Sequence, residues 1–230
     1  MVTHNKKNVN TVIFDMNGVL VNDEDLHEQA FRSVLIEEGT SLTHAEYQRY
    51  CAGRTDRDGF TDLIAHKNLR LNIDTYLVRK GHHYRRLAHG NLKVYPDASR
   101  VVRTLAASYA LALASSATRF EVETALETMR IADCFAIIAS AEDVSNGKPD
   151  PEIYLRVADR LGVVPGNCVV IEDSQNGILA SKRAGMQCIA VAHTHEPKEL
   201  AEADLIVGNI GSISAAVIES VCNRDRTRSE

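Results

Sequence analysis

The sequence predicts an α/β protein, a doubly wound parallel-sheet core of the Rossmann-like type with an inserted all-helical domain. Short continuous apolar runs alternate with amphipathic stretches at the start and through the second half of the chain, the pattern of strands buried on both faces between crossover helices. Between the first run and Pro96 the alternation stops and only helical patterns remain. A segment without strands cannot join the sheet, so it is read as an insertion after strand one.

The strands are expected at Thr11–Phe14, Ala110–Ala114, Ala136–Ala139, Cys168–Ile171, Gln187–Ala192 and Asp204–Val207. Between them, helical periodicity runs over Ala98–Ala107, Phe120–Met129, Pro151–Leu161 and Asn176–Ala184. The inserted block reads as helices Glu24–Glu38, Thr43–Ala52, Asp56–Lys67 and Asp74–His89. This divides the chain into a core of residues 1–21 and 95–230 and a helical cap of residues 22–94, with Asn22-Asp23 and Tyr95-Pro96 as linkers. A small helical domain at the sheet's edge would cover whatever binds there.

With 230 residues, 44% hydrophobic and 25% charged, the chain can bury a core without disulfides or metal staples. Its 31 acidic residues exceed its 26 basic ones, giving a net charge of −5 and no electrostatic footprint for nucleic acid. The five cysteines (Cys51, Cys134, Cys168, Cys188, Cys222) are widely spaced and contain no C-x-x-C pair, so neither a zinc site nor a disulfide framework is implied. A reducing, cytoplasmic setting fits them. The N-terminal stretch Met1 to Asn10 is polar, and no apolar run approaches the length of a membrane span, so no membrane partner is expected. The charged tail from Asn223 to Glu230 is expected to fray.

In a doubly wound sheet ligands bind at the carboxyl ends of the strands. Asp15, Ser115, Lys148 and the pair Glu172-Asp173 all fall at such ends. Three carboxylates brought together repel unless a cation offsets them, and oxygen-only ligands favour Mg²⁺. Lys148 and the Ser115 hydroxyl would then donate to phosphate oxygens, helped by the backbone N–H groups of Ser116 and Met16. Phosphoryl transfer through an aspartyl-phosphate is the reaction that uses all these parts.

Each residue also has a plainer reading. Asp15 before a glycine could be a turn acid, Ser115 a helix cap, and Lys148 a solvated loop charge. Glu172 and Asp173 could simply complement a helix dipole. The convergence of four strand ends favours the chemical reading over these.

The stretches Phe14-Asp15-Met16-Asn17-Gly18-Val19, Ala114-Ser115, Gly147-Lys148-Pro149-Asp150-Pro151 and Ile171-Glu172-Asp173-Ser174 resemble the four motifs of the haloacid dehalogenase-like superfamily of phosphatases, in order and over nearly the whole chain. Glu172 to Ile178, Ala52 to Arg57 and Arg79 to Tyr84 are similar to the β-phosphoglucomutase-like subgroup with a helical cap. The resemblance implies Asp15 as nucleophile and a Mg²⁺ held by Asp15, Asp173 and the Asn17 backbone carbonyl, with Glu172 assisting through metal-bound water. It further implies Ser115 and Lys148 on the phosphate, Arg57 and Lys80 reaching down from the cap, and His27 near the hinge beside the proton-transfer position. Arg57 and Lys80 on solvated faces, and His27 as a packing residue, are the competing readings.

The family pattern has a second aspartate two residues after the nucleophile, to protonate the leaving oxygen and later activate water; here that residue is Asn17. An amide neither gives nor takes a proton near neutral pH, and losing acid–base help costs on the order of 10²–10⁴ in rate. Three readings stand: a natural enzyme whose protons are handled by a neighbour such as His27 or whose leaving group is good, an engineered substitution in an active phosphatase or mutase, or a catalytically silent phospho-ligand-binding or regulatory protein. A branch that cleaves phosphorus–carbon bonds also lacks the second aspartate but uses a cap lysine, and Cys51-Ala52-Gly53-Arg54 offers none. The expected partner is a small phosphorylated metabolite such as a sugar phosphate, and the expected state a monomer or weak homodimer.

Overall fold

Strand β1 (Thr11–Phe14) lies in the middle of a six-stranded parallel sheet, between β4 (Ala110–Ala114) and β6 (Cys168–Glu172). The computed structural model describes residues 9–224, except 53 and 71 and the side chains of 222–224. The N-terminal stretch before Val9, Gly53, the Cys222 side chain and the part of the charged tail after Arg224 therefore lie outside what is described. Beyond β4 stands β5 (Ile137–Ala139), and beyond β6 stand β7 (Gln187–Val191) and β8 (Leu205–Val207). The chain thus winds outward in one direction from β4 and in the other from β6, which makes β1 the topological switch point.

Alternation along β1 sorts the core. Val12 and Phe14 join Val101 and Leu105 of α5 (Ala98–Ala106) and Val122 and Leu126 of α6 (Arg119–Met129) in one apolar cluster. Ile13 points the other way, into a cluster with Ile153 and Val157 of α7 (Glu152–Leu161) and Ala180 of α8 (Gln175–Arg183). Period-two side chains covered on both faces explain why the strand reads as an unbroken apolar run. All four residues of β1 are buried, and each large apolar side chain among them contributes about 1.5–3 kcal/mol.

The insertion is bracketed by a two-residue antiparallel pair, β2 (Val21–Asn22) with β3 (Lys93–Val94), so the chain leaves and returns at one place. Between them run α1 (Glu24–Glu37), α2 (His44–Tyr50), α3 (Asp56–Lys67) and α4 (Ile73–Ala88). Phe31, Leu35, Tyr47, Phe60, Leu63 and Tyr76 pack these helices around a cluster of their own. Thr43 and Glu46 form a capping box that starts α2, and the Thr55 side chain caps α3.

Element ends differ from the expected ones by one or two residues, as helix fraying and strand-end hydrogen bonding allow. Ala136, for instance, bonds to Leu111 O but precedes β5. Two features were not anticipated. Asn22-Asp23 is not a loose linker, since Asn22 pairs in β2 and Asp23 is buried at the start of α1. A terminal helix, α9 (Ala215–Arg224), brings Ile218 and Val221 onto the core. Among the described residues no helix is long and apolar enough to cross a membrane.

Candidate active site

The site follows from the register of three strands. Phe14 of β1 lies opposite Leu113 of β4 and Ile171 of β6, so the residues that continue each strand emerge together at one sheet edge. They are Asp15, Ser115, and Glu172 with Asp173. From the loop before α7, Lys148 reaches in and places its Nζ 2.7 Å from Asp15 Oδ1, 2.7 Å from Glu172 Oε1 and 3.2 Å from Ala114 O. Oxygens of Asp15, Glu172 and Asp173 lie within 4.8 Å of one another, and all three residues are buried.

One ammonium among three buried carboxylates leaves the group short of positive charge. Burial pushes the Asp15 carboxyl up to about 7, with Glu172 adding to the rise and Lys148 opposing it. Burial and the charges of Glu172 and Asp15 raise Asp173 well above the usual carboxylate range. Glu172 moves the other way, because Lys148 and several hydrogen bonds outweigh its burial. Its Oε1 accepts from Lys148 and from Tyr154 OH at 2.9 Å; its Oε2 accepts from the backbone N–H of Asp173 and Ser174 and from the Ser174 hydroxyl. Those five donors occupy both oxygens of Glu172, which ties Lys148 and the loop to it. Asp173 takes a bond from the Thr194 hydroxyl, a partner with no motif to announce it in the sequence.

Asn17 lies beside this group. Its amide nitrogen donates to both oxygens of Asp23, at 2.9 and 3.0 Å, and its Oδ1 accepts from the Ser115 hydroxyl at 3.2 Å. The Ser115 oxygen in turn accepts from Ala117 N, while the actual cap of α6 is Thr118. Asp23 also accepts from Tyr84 OH at 2.5 Å and lies 3.3 Å from His27 Nε2. Burial alone would raise it, yet the hydrogen bonds from His27, Tyr84 and Asn17 hold its carboxyl below the usual carboxylate range.

His27 stands where the sequence suggested, with Nε2 3.4 Å from the Asn17 amide nitrogen. Burial and the Lys80 charge push its ring down, whereas Asp23 and Glu121 push it up. The Lys80 ammonium is 2.7 Å from His27 Nδ1, and two N–H donors cannot face each other at that distance. Nδ1 therefore accepts, and the ring is neutral with its proton on Nε2.

A cavity of about 460 Å³ opens over Asp15, bounded by Asn17, His27, Ser116, Lys148 and Asp173 below and by Tyr47 and Arg54 of the insertion above. A second cavity of about 640 Å³ shares Ser115, Ser116 and Lys148 and continues past Arg57 to Leu77 and Phe120. Arg57 therefore stands at the neighbouring cavity, largely exposed and paired with Asp74 at 2.8 Å. Lys80 reaches neither cavity. It is fully buried, with Nζ 2.7 Å from both Asp56 and Glu121. Of the residues expected on the substrate, His27 and Ser116 line the cavity over Asp15, whereas Arg57 and Lys80 do not. His193 is neutral: Nδ1 donates to Gly18 O and Nε2 accepts from Ile210 N.

The donor set suits a hard dication. Asp15 and Asp173 supply carboxylate oxygens at a spot short of positive charge, and Gly18 presses so closely that a Cβ there would meet Asp173 Oδ2 at 1.9 Å.

Comparison with known proteins agrees with this geometry. The profile of the family described as haloacid dehalogenase-like hydrolase matches residues 12–191. A phosphorylated carbohydrates phosphatase from Thermotoga maritima is 34% identical over 198 residues, covering 85% of this chain and 91% of that protein. Validoxylamine A 7'-phosphate phosphatase from Streptomyces hygroscopicus subsp. limoneus is 28% identical, covering 87% of this chain and 94% of that protein. The crystal structure of CbbY from Rhodobacter sphaeroides in complex with phosphate aligns with a TM-score of 0.83 at 26% identity, over 92% of this chain and 99% of that one. A β-phosphoglucomutase from Clostridium difficile, 24% identical, shares the fold with a TM-score of 0.83 over 96% of this chain and all of that one.

Proposed function

Because the chain belongs to the haloacid dehalogenase-like hydrolase family and resembles phosphatases of small phosphorylated metabolites, we propose that it is a Mg²⁺-dependent phosphatase acting through an aspartyl-phosphate on Asp15. The convergence of Asp15, Ser115, Lys148 and Asp173 at one sheet edge carries this reading. In the first step an Asp15 carboxylate oxygen bonds to phosphorus as the ester oxygen leaves; in the second, water attacks phosphorus and frees Asp15. Lys148 and the Ser115 and Ser116 loop hold the phosphate oxygens, and the helices of residues 22–94 form the cap that excludes bulk water.

Asp15, Asp173 and the Asn17 backbone carbonyl would hold Mg²⁺, which supplies charge neutralisation for the phosphoryl group. Asn17 cannot protonate the leaving oxygen, and the neutral His27 ring beside it on the cavity wall has no readily lost proton, so proton transfer is weakened or passes to solvent. The four described cysteines are free thiols, which supports a reducing compartment such as the cytosol.

The test is phosphate release over a panel of sugar phosphates and related metabolites with Mg²⁺, for the protein and its Asp15→Asn variant. Turnover that disappears in the variant and in EDTA, and returns with Mg²⁺, is the expected result. Full activity of Asp15→Asn would end the aspartyl-phosphate reading. A second reading, favoured by Asn17, is a phospho-ligand-binding protein without turnover; saturable binding of a metabolite with no phosphate release would select it.

A further inference from the structure

The residue at position 17 cannot be understood apart from position 23. Asp23 is 1% exposed and, among the described residues, no lysine or arginine reaches it; its donors are the Asn17 amide, the Tyr84 hydroxyl and the His27 ring. The amide of Asn17 has one orientation available. Its nitrogen faces the Asp23 carboxylate, and its oxygen faces the Ser115 hydroxyl; turned over, it would set oxygen against oxygen on the Asp23 side.

We propose that Asp23 is a positioning residue for Asn17, and that the two form a matched carboxylate–amide pair that decides which groups the site accepts at position 17. The inference rests on the phosphatase reading for its catalytic consequence, but the pairing itself is a matter of charge and geometry. An aspartate at 17 in this chain would place its carboxylate against that of Asp23 where the amide now sits at 2.9 Å, in a buried pocket with no strong cation to separate them. The missing acid of the family pattern is therefore not restored by changing Asn17 alone. In this pair the carboxylate belongs to Asp23, just before α1, and the amide to Asn17.

This is directly testable with a carboxylate–amide swap. Four proteins are compared: the natural chain, Asn17→Asp, Asp23→Asn, and the double variant carrying both. At about pH 8, where both carboxyls are ordinarily ionised, Asn17→Asp alone loses roughly 5 °C or more in Tm and gains no turnover. The double variant keeps the hydrogen bond with donor and acceptor exchanged. It recovers the Tm of the natural chain, and its kcat for p-nitrophenyl phosphate with Mg²⁺ rises about tenfold or more above that of Asn17→Asp, with KM unchanged. Should Asn17→Asp fail to fold, a stable double variant still supports the pairing. The proposal is overturned if Asn17→Asp alone matches the natural Tm and equals the double variant in kcat, or if the double variant is no more stable than Asn17→Asp. The Tm coupling needs no activity, so loss of the aspartyl-phosphate reading through the Asp15→Asn control leaves this test standing.

Discussion

Lys80 on α4 and Glu121 on α6 form an ion pair of 2.7 Å that is buried on both sides and joins the helical insertion to the α/β core. Asp56 at the start of α3 completes the arrangement, also 2.7 Å from the Lys80 ammonium. Burial disfavours the charge on Lys80, but the two carboxylates more than compensate and raise its pKa. The insertion is thus held against the core by a charge cluster as well as by apolar contact.

Removing one member of such a cluster is costly, because the partners stay buried and unpaired. Lys80→Met is expected to lower stability by about 3–5 kcal/mol, read from urea unfolding. Adding Glu121→Leu to that variant should recover part of the loss, since one stranded carboxylate disappears. A Lys80→Met protein as stable as the natural chain would show that the cluster does not hold the insertion in place.

Gly177 gives a test in which two effects have opposite signs. Alanine normally stabilises a helix interior by about 1 kcal/mol relative to glycine. Here a Cβ would meet Glu172 Oε1 at 1.7 Å, and that carboxylate cannot swing aside without releasing Lys148 and Tyr154. Gly177→Ala is therefore expected to lower Tm and to reduce phosphatase turnover together, the second because Lys148 loses its anchor.

A pH effect is expected away from the catalytic group. Glu46 accepts from Lys67 and from the Thr43 backbone, which lowers its carboxyl from 4.5 to about 2. The folded value lies below the unfolded one, so this stabilisation is complete above about pH 4.5 and is lost as pH falls toward 2. Glu46→Gln should flatten the fall in Tm across that interval while changing little of the pH dependence above it.

Much of the site is legible in the chain because it is local. An apolar run ending in an acid, as at Phe14-Asp15 and Ile171-Glu172-Asp173, states both a strand and the group at its carboxyl end, and parallel pairing then brings such ends together. Lys148 lies well past the end of β5, in the loop before α7, so the strand pattern alone did not place it. The insertion was visible as helical period without strands, which one-dimensional pattern suffices to reveal.

What the sequence determined by itself was accordingly the periodic part, namely strands, helices, their order and the chemistry at each strand end. Tertiary structure alone decided the partners. Lys80 meets Glu121 across 41 positions and Tyr84 meets Asp23 across 61, and no local pattern encodes which of many charged residues the packing will bury against which. The same holds for Asn17: the chain shows an amide where an acid was expected, and only the fold sets Asp23 against it. Periodicity is a property of neighbours along the chain, whereas the energy of a buried charge depends on everything packed around it.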